Sequence, residues 1–271
     1  MVKTRYLVIG YSRSGTTVTQ HLISGHPKAS GFVGEIKPDP FFTKGIEVFT
    51  HGKAPRDKEQ EYPALFDAMT LINSNEETIA NGGKTACNSS IKAQKIVSTL
   101  QKYLKDVKVI IIRRNDLAAQ YGSGMHGQKT GIMHSFNKGY DNNRKIHMLK
   151  PNKLRFISHA RSVYAMYDAL DELKETHDVL EVNYEDIISD LKTFSNNVFE
   201  FLNLPVVDPV WLKDKKVMPP PEDYIKNYRE LTEISKKIRN GELPSHIIFL
   251  SKLINHLSWR FERLSGRYFS F

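Results

Sequence analysis

Two groups of residues in this sequence are suited to binding anions, and each directly follows a predicted strand. The first is the turn Gly10 to Thr17 (GYSRSGTT), which lies between the apolar run Arg5 to Ile9 and a helical pattern of apolar residues. A glycine-containing turn that opens a helix presents backbone N–H groups and the positive end of the helix dipole to a phosphate or sulfate group. We therefore expect an anion site here, with hydroxyl donors from Ser14, Thr16 and Thr17.

This turn departs from the phosphate-binding pattern G-x-x-x-x-G-K-[ST], because Thr16 replaces the lysine and Arg13 places a cation inside the turn. The second group, Arg113 and Arg114, follows the β-branched run Val107 to Ile112, where a triphosphatase would carry an aspartate for Mg²⁺. Cations in place of that carboxylate predict a second anion site and no magnesium. In open α/β sheets ligands bind at the carboxyl ends of the strands, so both sites are expected at that edge.

Strands and helices alternate along the chain. This alternation predicts the α/β fold class, with a three-layer, mainly parallel sheet and helices on both faces. The near match of the first turn to the phosphate-binding pattern adds the expectation of a P-loop-like nucleotide-binding core. We find no convincing linker and expect a single domain over residues 1–271. Gly124 to Lys153 and Ile36 to Pro63 are predicted mostly as loop. The predicted strands are Arg5 to Ile9, Ser30 to Gly34, Val107 to Ile112 and Val179 to Asn183, and the predicted last helix is Ile247 to Leu264.

Positive charge is concentrated in the middle of the chain. The 39 Lys and Arg against 30 Asp and Glu give a net charge of +9. Lys84 to Arg161 alone contains 16 Lys and Arg and 3 Asp and Glu, a net charge of +13, so the rest of the chain carries −4. Such a local excess indicates an anionic ligand, whereas a uniformly basic nucleic-acid-binding protein would look different.

Cysteine usage and hydropathy exclude some classes of protein. Cys87 is the only cysteine, which excludes an intrachain disulfide framework and a zinc site of several thiolates within one chain. No apolar run approaches the length of a membrane span, about 18 residues. We therefore expect a cytoplasmic protein with no membrane span.

Three segments, in order, resemble the sulfotransferases that use 3′-phosphoadenosine 5′-phosphosulfate (PAPS). Tyr11 to Thr17 is similar to the family's 5′-phosphosulfate loop. Ile110 to Ser123 (IIIRRNDLAAQYGS) is similar to its 3′-phosphate motif of strand, arginine, helix and serine. Leu180 to Pro205 (LEVNYEDIISDLKTFSNNVFEFLNLP) is similar to its Tyr-Glu-Asp segment and the helix that follows.

The resemblance implies PAPS as the donor, 3′,5′-ADP (PAP) as the product, and no metal requirement. It implies that Arg114 and Ser123 hold the 3′-phosphate and that Tyr184 contacts the adenine. Arg114 and Ser123 are one residue further apart than in the family, so Arg113 stays open as the phosphate ligand. The residues that the resemblance assigns to the 5′-phosphosulfate are Arg13, Ser14, Gly15, Thr16 and Thr17.

The expected reaction is in-line transfer of a sulfuryl group, in which positioning and charge stabilisation provide most of the catalysis. Arg13 is expected to stabilise the leaving oxygen, and Lys84, in the motif remnant Lys84-Thr85-Ala86, to contact the transferring group. The histidine that serves as base in cytosolic members is absent from that remnant. Glu35 is similar in place to a glutamate that some bacterial carbohydrate sulfotransferases use just after the second strand, so the resemblance implies it as the candidate base, with His126 and His134 as alternatives.

The acceptor is expected to be a hydroxyl of a small molecule or carbohydrate. Asn227 to Leu231 resembles a segment of the bacterial carbohydrate sulfotransferases, among them the trehalose-type enzymes. Gly124 to Lys153 and Lys37 to Pro63 are the expected walls of the acceptor pocket, because loops carry specificity. The sequence makes no prediction of the oligomeric state.

Two other function classes remain open. A nucleotide kinase or triphosphatase with a degenerate P-loop is the first, although the missing lysine and aspartate argue against it. A non-catalytic module for a polyanion is the second, and the sequence shows little of the aromatic interleaving used to stack bases. We expect no nucleic-acid partner.

Overall fold

The structure is a computed structural model that describes residues 4–36, 58–71, 74–132, 146–210, 212 and 218–254, and these residues contain one five-stranded sheet. All neighbouring strands are parallel, in the order β2-β3-β1-β4-β5. The four predicted strands are confirmed, and β3 is an addition. The strands are β1 Thr4–Gly10, β2 Ala29–Glu35, β3 Ala80–Ala86, β4 Lys108–Arg113 and β5 Val179–Asn183.

Helices follow or connect the strands in the described residues. They are α1 Thr16–Ser24, α2 Lys58–Thr70, α3 Ser90–Tyr103, α4 Leu117–Thr130, α5 Lys153–Asp171, α6 Tyr184–Ser189, α7 Leu191–Phe201 and α8 Tyr228–Arg239. Residues 245–254 are also helical, which confirms the start of the predicted last helix, and its remainder lies outside the described residues. In the parts of the chain that the structure describes, no helix combines the length and apolar character needed to cross a membrane.

Successive side chains of a strand point to opposite faces of the sheet, and helices cover both faces here. Tyr6 and Val8 of β1 belong to an apolar cluster that includes Leu22 of α1 and Phe199 of α7. Leu7, on the other face, lines a small cavity with residues of α2 and α3. The sheet is therefore the middle of three layers, which confirms the predicted fold class.

Strand β3 escapes prediction because it contains small residues where a strand usually carries β-branched ones. Its sequence is ANGGKTA, and every residue of it is buried. A Cβ atom on Gly82 would collide with the backbone oxygen of Tyr6 and lie 2.5 Å from its Cγ. The aromatic ring on β1 occupies the space that a side chain on β3 would need, so glycine is required by this close approach.

The chain divides into two compact units. The first contains Met1–Asn115 and Ala165–Lys213, with the whole sheet, and the second contains Asp116–Tyr164 and Asp214–Phe271. The single domain over residues 1–271 stays a prediction.

In the second unit, the prediction of loop from Gly124 is wrong as far as Thr130, because α4 continues to that residue. The side chain of Asp116 caps α4 by accepting from Ala119 N at 2.9 Å, and it also accepts from Tyr228 Oη at 2.7 Å. The helix ends at Gly131, whose φ of 72° is left-handed. These two caps stabilise a helix whose many glycines hide it from pattern analysis. The helix α2 likewise begins inside the predicted loop Ile36 to Pro63.

Candidate functional site

The turn between β1 and α1 has two residues in the left-handed backbone region. Gly15, directly before α1, has a φ of 98°, and Arg13 has a φ of 67°. Glycine adopts such angles without strain, whereas Arg13 has a Cβ atom and is strained there. Asn88, after β3, receives hydrogen bonds at its Oδ1 from Ser12 N (3.3 Å) and Ser12 Oγ (2.7 Å). The turn is thus fixed to the neighbouring strand end.

Ser14 lies inside this turn and is fully buried, and its hydroxyl has no hydrogen-bond partner among the residues that the structure describes. An unpaired buried hydroxyl costs about 1–3 kcal/mol, so a ligand oxygen that pairs with it would bind favourably. Thr16, at the first position of α1, is also buried, and Thr17 follows it half-buried. Hydroxyl groups and the start of a nine-residue helix meet here. This arrangement can bind an oxyanion.

Arg114 lies beside this turn, because β1 and β4 are neighbours and end side by side. Its Nη1 donates to the backbone oxygen of Arg13 at 2.7 Å, and its Cζ lies 4.3 Å from the ring centroid of Tyr184. The same ring packs on Gly15, where an added Cβ would lie 2.8 Å from Tyr184 Cδ2. The structure therefore brings together four predicted site residues from the ends of β1, β4 and β5.

Arg113 points to a different set of groups. Its guanidinium pairs with Asp171 Oδ1 at 2.6 Å and with Glu181 Oε2 at 2.9 Å, and it lies 4.7 Å from the ring centroid of Tyr167. Burial lowers the pKa of Arg113, but the two carboxylates outweigh it and raise the pKa overall. Lys174 joins both carboxylates, at 2.6 Å and 2.8 Å. Arg113 is a member of an ion-pair network rather than of the turn.

Glu35 and Lys84 are register partners on the adjacent strands β2 and β3. The pairing shifts between Phe32 and Glu35, which marks an irregularity at the end of β2. Lys84 is buried and lies within β3, two residues before its end. The backbone therefore places the two candidate catalytic residues next to each other.

Ser123 and His126 belong to the second unit, where both are buried on α4. The Nε2 of His126 accepts from the backbone nitrogen of His147 at 3.4 Å, and the two imidazole centroids are 5.9 Å apart. His134 lies outside the described residues. So do most of the expected pocket walls, at residues 37–57 and 133–145.

Sequence reasoning missed two residues beside the Arg113–Arg114 pair. Tyr167 on α5 accepts at its hydroxyl from Arg114 N at 3.0 Å. Glu185, the acidic residue after Tyr184, accepts from Asn115 N at 3.2 Å. Glu185 sits in the Tyr-Glu-Asp segment and could have been singled out there. Tyr167 lies on an ordinary apolar stripe of α5 and gives no signal in the sequence.

Comparison with solved structures gives remote similarities. The sulfotransferase from Alicyclobacillus acidocaldarius is 16% identical over 91% of this chain and 99% of its own, with a TM-score of 0.43. The sulfotransferase domain of the Synechococcus PCC 7002 olefin synthase is 15% identical over 86% and 94%, with a TM-score of 0.46. A mouse sulfotransferase in complex with PAP is 18% identical over 89% and 66%, with a TM-score of 0.42.

The family assignment rests on the sequence itself rather than on these similarities. No curated protein matches the chain. The model of the sulfotransferase domain family, in contrast, matches residues 3–258, which is nearly the whole chain. The chain therefore belongs to the sulfotransferase domain family.

Proposed function

We propose that this protein transfers the sulfuryl group of PAPS to a hydroxyl group of an acceptor and releases 3′,5′-ADP. The observation that carries the proposal is the cluster of Arg13, Gly15, Arg114 and Tyr184 beside the unpaired hydroxyl of Ser14. The cluster lies where β1 leads towards β2 on one side of the sheet and β4 leads to β5 on the other. Ligands of open α/β folds bind at such a reversal of strand order.

The donor would lie across this cluster. Backbone N–H groups at the start of α1, with the hydroxyls of Ser14, Thr16 and Thr17, would hold the 5′-phosphosulfate. Tyr184 would offer its ring to the adenine. By the family resemblance, Ser123 is proposed as a further ligand of the 3′-phosphate.

Arg114 rather than Arg113 is proposed as the arginine that binds the 3′-phosphate. Arg113 already pairs with Asp171 and Glu181, and a phosphate would have to displace these carboxylates. Arg114 makes no ion pair in the described residues, and its Nε is buried without a hydrogen-bond partner. A phosphate oxygen would supply that partner, and charge-assisted hydrogen bonds of this kind are among the strong ones.

In the transfer, the bond between sulfur and the bridging oxygen of the phosphosulfate breaks, and a bond from sulfur to the acceptor oxygen forms. Arg13 would stabilise the negative charge that grows on the bridging oxygen. Lys84 would contact the transferring group, and Glu35 would take the acceptor proton. The register of β2 with β3 supports this pairing of roles, since it sets these two residues side by side. His126, buried against His147, is the less favoured base.

We also propose that the acceptor is a carbohydrate and that the protein is cytoplasmic. Two residues behind the carbohydrate analogy also make contacts within the second unit that account for their presence. Asn227 Nδ2 donates to Pro151 O at 3.1 Å, and Tyr228 Oη donates to Asp116 Oδ2 at 2.7 Å. The analogy is therefore weaker support for the acceptor than the cluster is for the donor.

Two experiments test the proposal. Binding of 3′,5′-ADP is expected to raise the melting temperature, because a ligand of the folded state stabilises it by mass action. No shift at millimolar 3′,5′-ADP would contradict donor binding. Arg13→Ala is expected to abolish transfer from labelled PAPS while the melting temperature without ligand stays near that of the wild type. Activity that persists in EDTA would support the absence of a metal requirement, and magnesium-dependent ATP turnover without 3′,5′-ADP binding would favour a triphosphatase instead.

A further inference from the structure

The two arginines that follow the apolar part of β4 are adjacent in the chain, yet their side chains take different partners. Tyr167 contacts both of them. Its hydroxyl accepts the backbone N–H of Arg114 at 3.0 Å, and its ring lies 4.7 Å from the guanidinium carbon of Arg113. Tyr167 is 3% exposed, so its own side chain is shielded from bulk water.

The contact between Tyr167 and Arg114 N lies just beyond the end of the hydrogen-bonded ladder of β4. The ladder between β4 and β5 ends at the pair Arg113 and Asn183, so Arg114 is the first residue beyond it. A backbone N–H in this position needs another acceptor, and the Tyr167 hydroxyl supplies it. Burial raises the pKa of Tyr167, so the phenol stays neutral at physiological pH.

The ring of Tyr167 acts on the other arginine. It lies against the Arg113 guanidinium, whose nitrogens pair with Asp171 on one side and Glu181 on the other. This arrangement directs Arg113 into the ion-pair network. The side chain of Arg113 and the backbone N–H of Arg114 are thus both held by Tyr167. The Arg114 guanidinium lies between Arg13 O and the ring of Tyr184.

We infer that Tyr167 is a positioning residue for recognition of the 3′-phosphate: its hydroxyl fixes the backbone of Arg114 so that the guanidinium meets the phosphate. The inference rests on the proposed function, in which Arg114 binds that phosphate. Tyr167 itself does not touch the ligand. Its loss should therefore affect only ligands that carry a 3′-phosphate, and only while Arg114 is present.

The test compares Tyr167→Phe with a matched control, Tyr164→Phe, which removes a hydroxyl one turn earlier on the same helix. The Tyr164 hydroxyl pairs with Ser235 Oγ at 3.2 Å. Each folded variant is titrated calorimetrically with 3′,5′-ADP and with 5′-AMP, which lacks the 3′-phosphate. Tyr167→Phe is expected to weaken 3′,5′-ADP binding by roughly threefold to tenfold, the effect of one hydrogen bond, and to leave 5′-AMP binding unchanged. Tyr164→Phe is expected to change neither.

A double substitution tests the route through Arg114. In an Arg114→Met background, Tyr167→Phe is expected to have no further effect on the ratio of the two affinities. A purely structural role of Tyr167 would weaken both nucleotides alike. That result, or an unchanged affinity ratio in the single variant, overturns the inference while the proposed function stands.

The wild-type titration separates the two levels of the proposal. If the wild type does not prefer 3′,5′-ADP over 5′-AMP, the proposed function is contradicted and the inference falls with it. A second measurement needs no variant: hydrogen exchange at the Arg114 amide of the wild type. Slow exchange is expected with and without 3′,5′-ADP, and fast exchange without ligand would overturn the inference even if Tyr167→Phe fails to fold.

Discussion

Replacing Gly15 by alanine tests how the turn and Tyr184 depend on each other. Gly15 has a φ of 98°, and an alanine there pays about 1–2 kcal/mol for the left-handed conformation. Its Cβ would also lie 2.8 Å from Tyr184 Cδ2 and 3.3 Å from Ile187 Cδ1. Real Cβ contacts are longer than 2.8 Å, so the Tyr184 ring must move. Such overpacking costs about a further 1–3 kcal/mol.

Gly241→Ala is the matched control for this substitution. Gly241 has a φ of 73°, and no atom of the described residues lies within 4 Å of the position of its Cβ. It therefore incurs the conformational cost without the collision. Urea unfolding should give a loss of about 2–5 kcal/mol for Gly15→Ala and about 1–2 kcal/mol for Gly241→Ala.

Nucleotide binding should separate the two variants more clearly than stability does. A displaced Tyr184 ring no longer lies between Gly15 and Arg114, so Gly15→Ala should lose at least about tenfold in affinity for 3′,5′-ADP, the effect of about 1.4 kcal/mol. Gly241→Ala should bind as the wild type does. Equal losses of stability in the two variants, or wild-type affinity in Gly15→Ala, would refute the reasoning.

Three further predictions follow from buried groups. Thr85→Val should raise the free energy of unfolding by about 1 kcal/mol in urea, because Thr85 is fully buried and its hydroxyl has no partner within the described part of the chain; a decrease would count against this. Arg113→Met should lower stability by about 1–3 kcal/mol yet retain 3′,5′-ADP binding by calorimetry, whereas Arg114→Met should lose it; the reverse pattern would exchange their roles. Burial lowers the pKa of His159 to about 3, so the folded state keeps it neutral while the unfolded state gains a proton below pH 6.5. The free energy of unfolding should therefore fall as the pH drops from 6.5 towards 3. From neutral pH to pH 5 the wild type should lose about 2 kcal/mol more of this free energy than His159→Leu loses, and parallel pH profiles of the two proteins would contradict the prediction.

The elements that the sequence predicts well are those whose apolar pattern matches their burial. The run before Arg113 and the stripe of α7 belong to this group. Strand β3 does not, because the residues that shape it are on β1, where the ring of Tyr6 excludes any side chain at Gly82. Ile91 is the opposite case, because this apolar residue of α3 is 68% exposed.

The sequence motifs predict which residues belong to the candidate site, but they do not predict how those side chains are arranged. The turn at Arg13 and the arginine pair after β4 are visible as local patterns, and parallel strands bring them to one edge. Asp171 and Glu181 decide which arginine lies at the turn, because they pair with Arg113. They are far from the arginines in the sequence, so the motif alone does not predict these ion pairs. The role of Tyr167 likewise exists only once α5 packs beside β4.

The most direct test of the account is transfer from ³⁵S-labelled PAPS to a panel of hydroxyl acceptors, compared between the wild type and Arg13→Ala. The account predicts that the wild type releases 3′,5′-ADP and labels an acceptor, with a carbohydrate or another small hydroxyl compound among those labelled. Arg13→Ala should show neither product while it keeps the wild-type melting temperature. Label transfer that is unchanged in Arg13→Ala would contradict the proposed role of the turn. Hydrolysis of ATP with magnesium, in a protein that does not bind 3′,5′-ADP, would contradict the central claim.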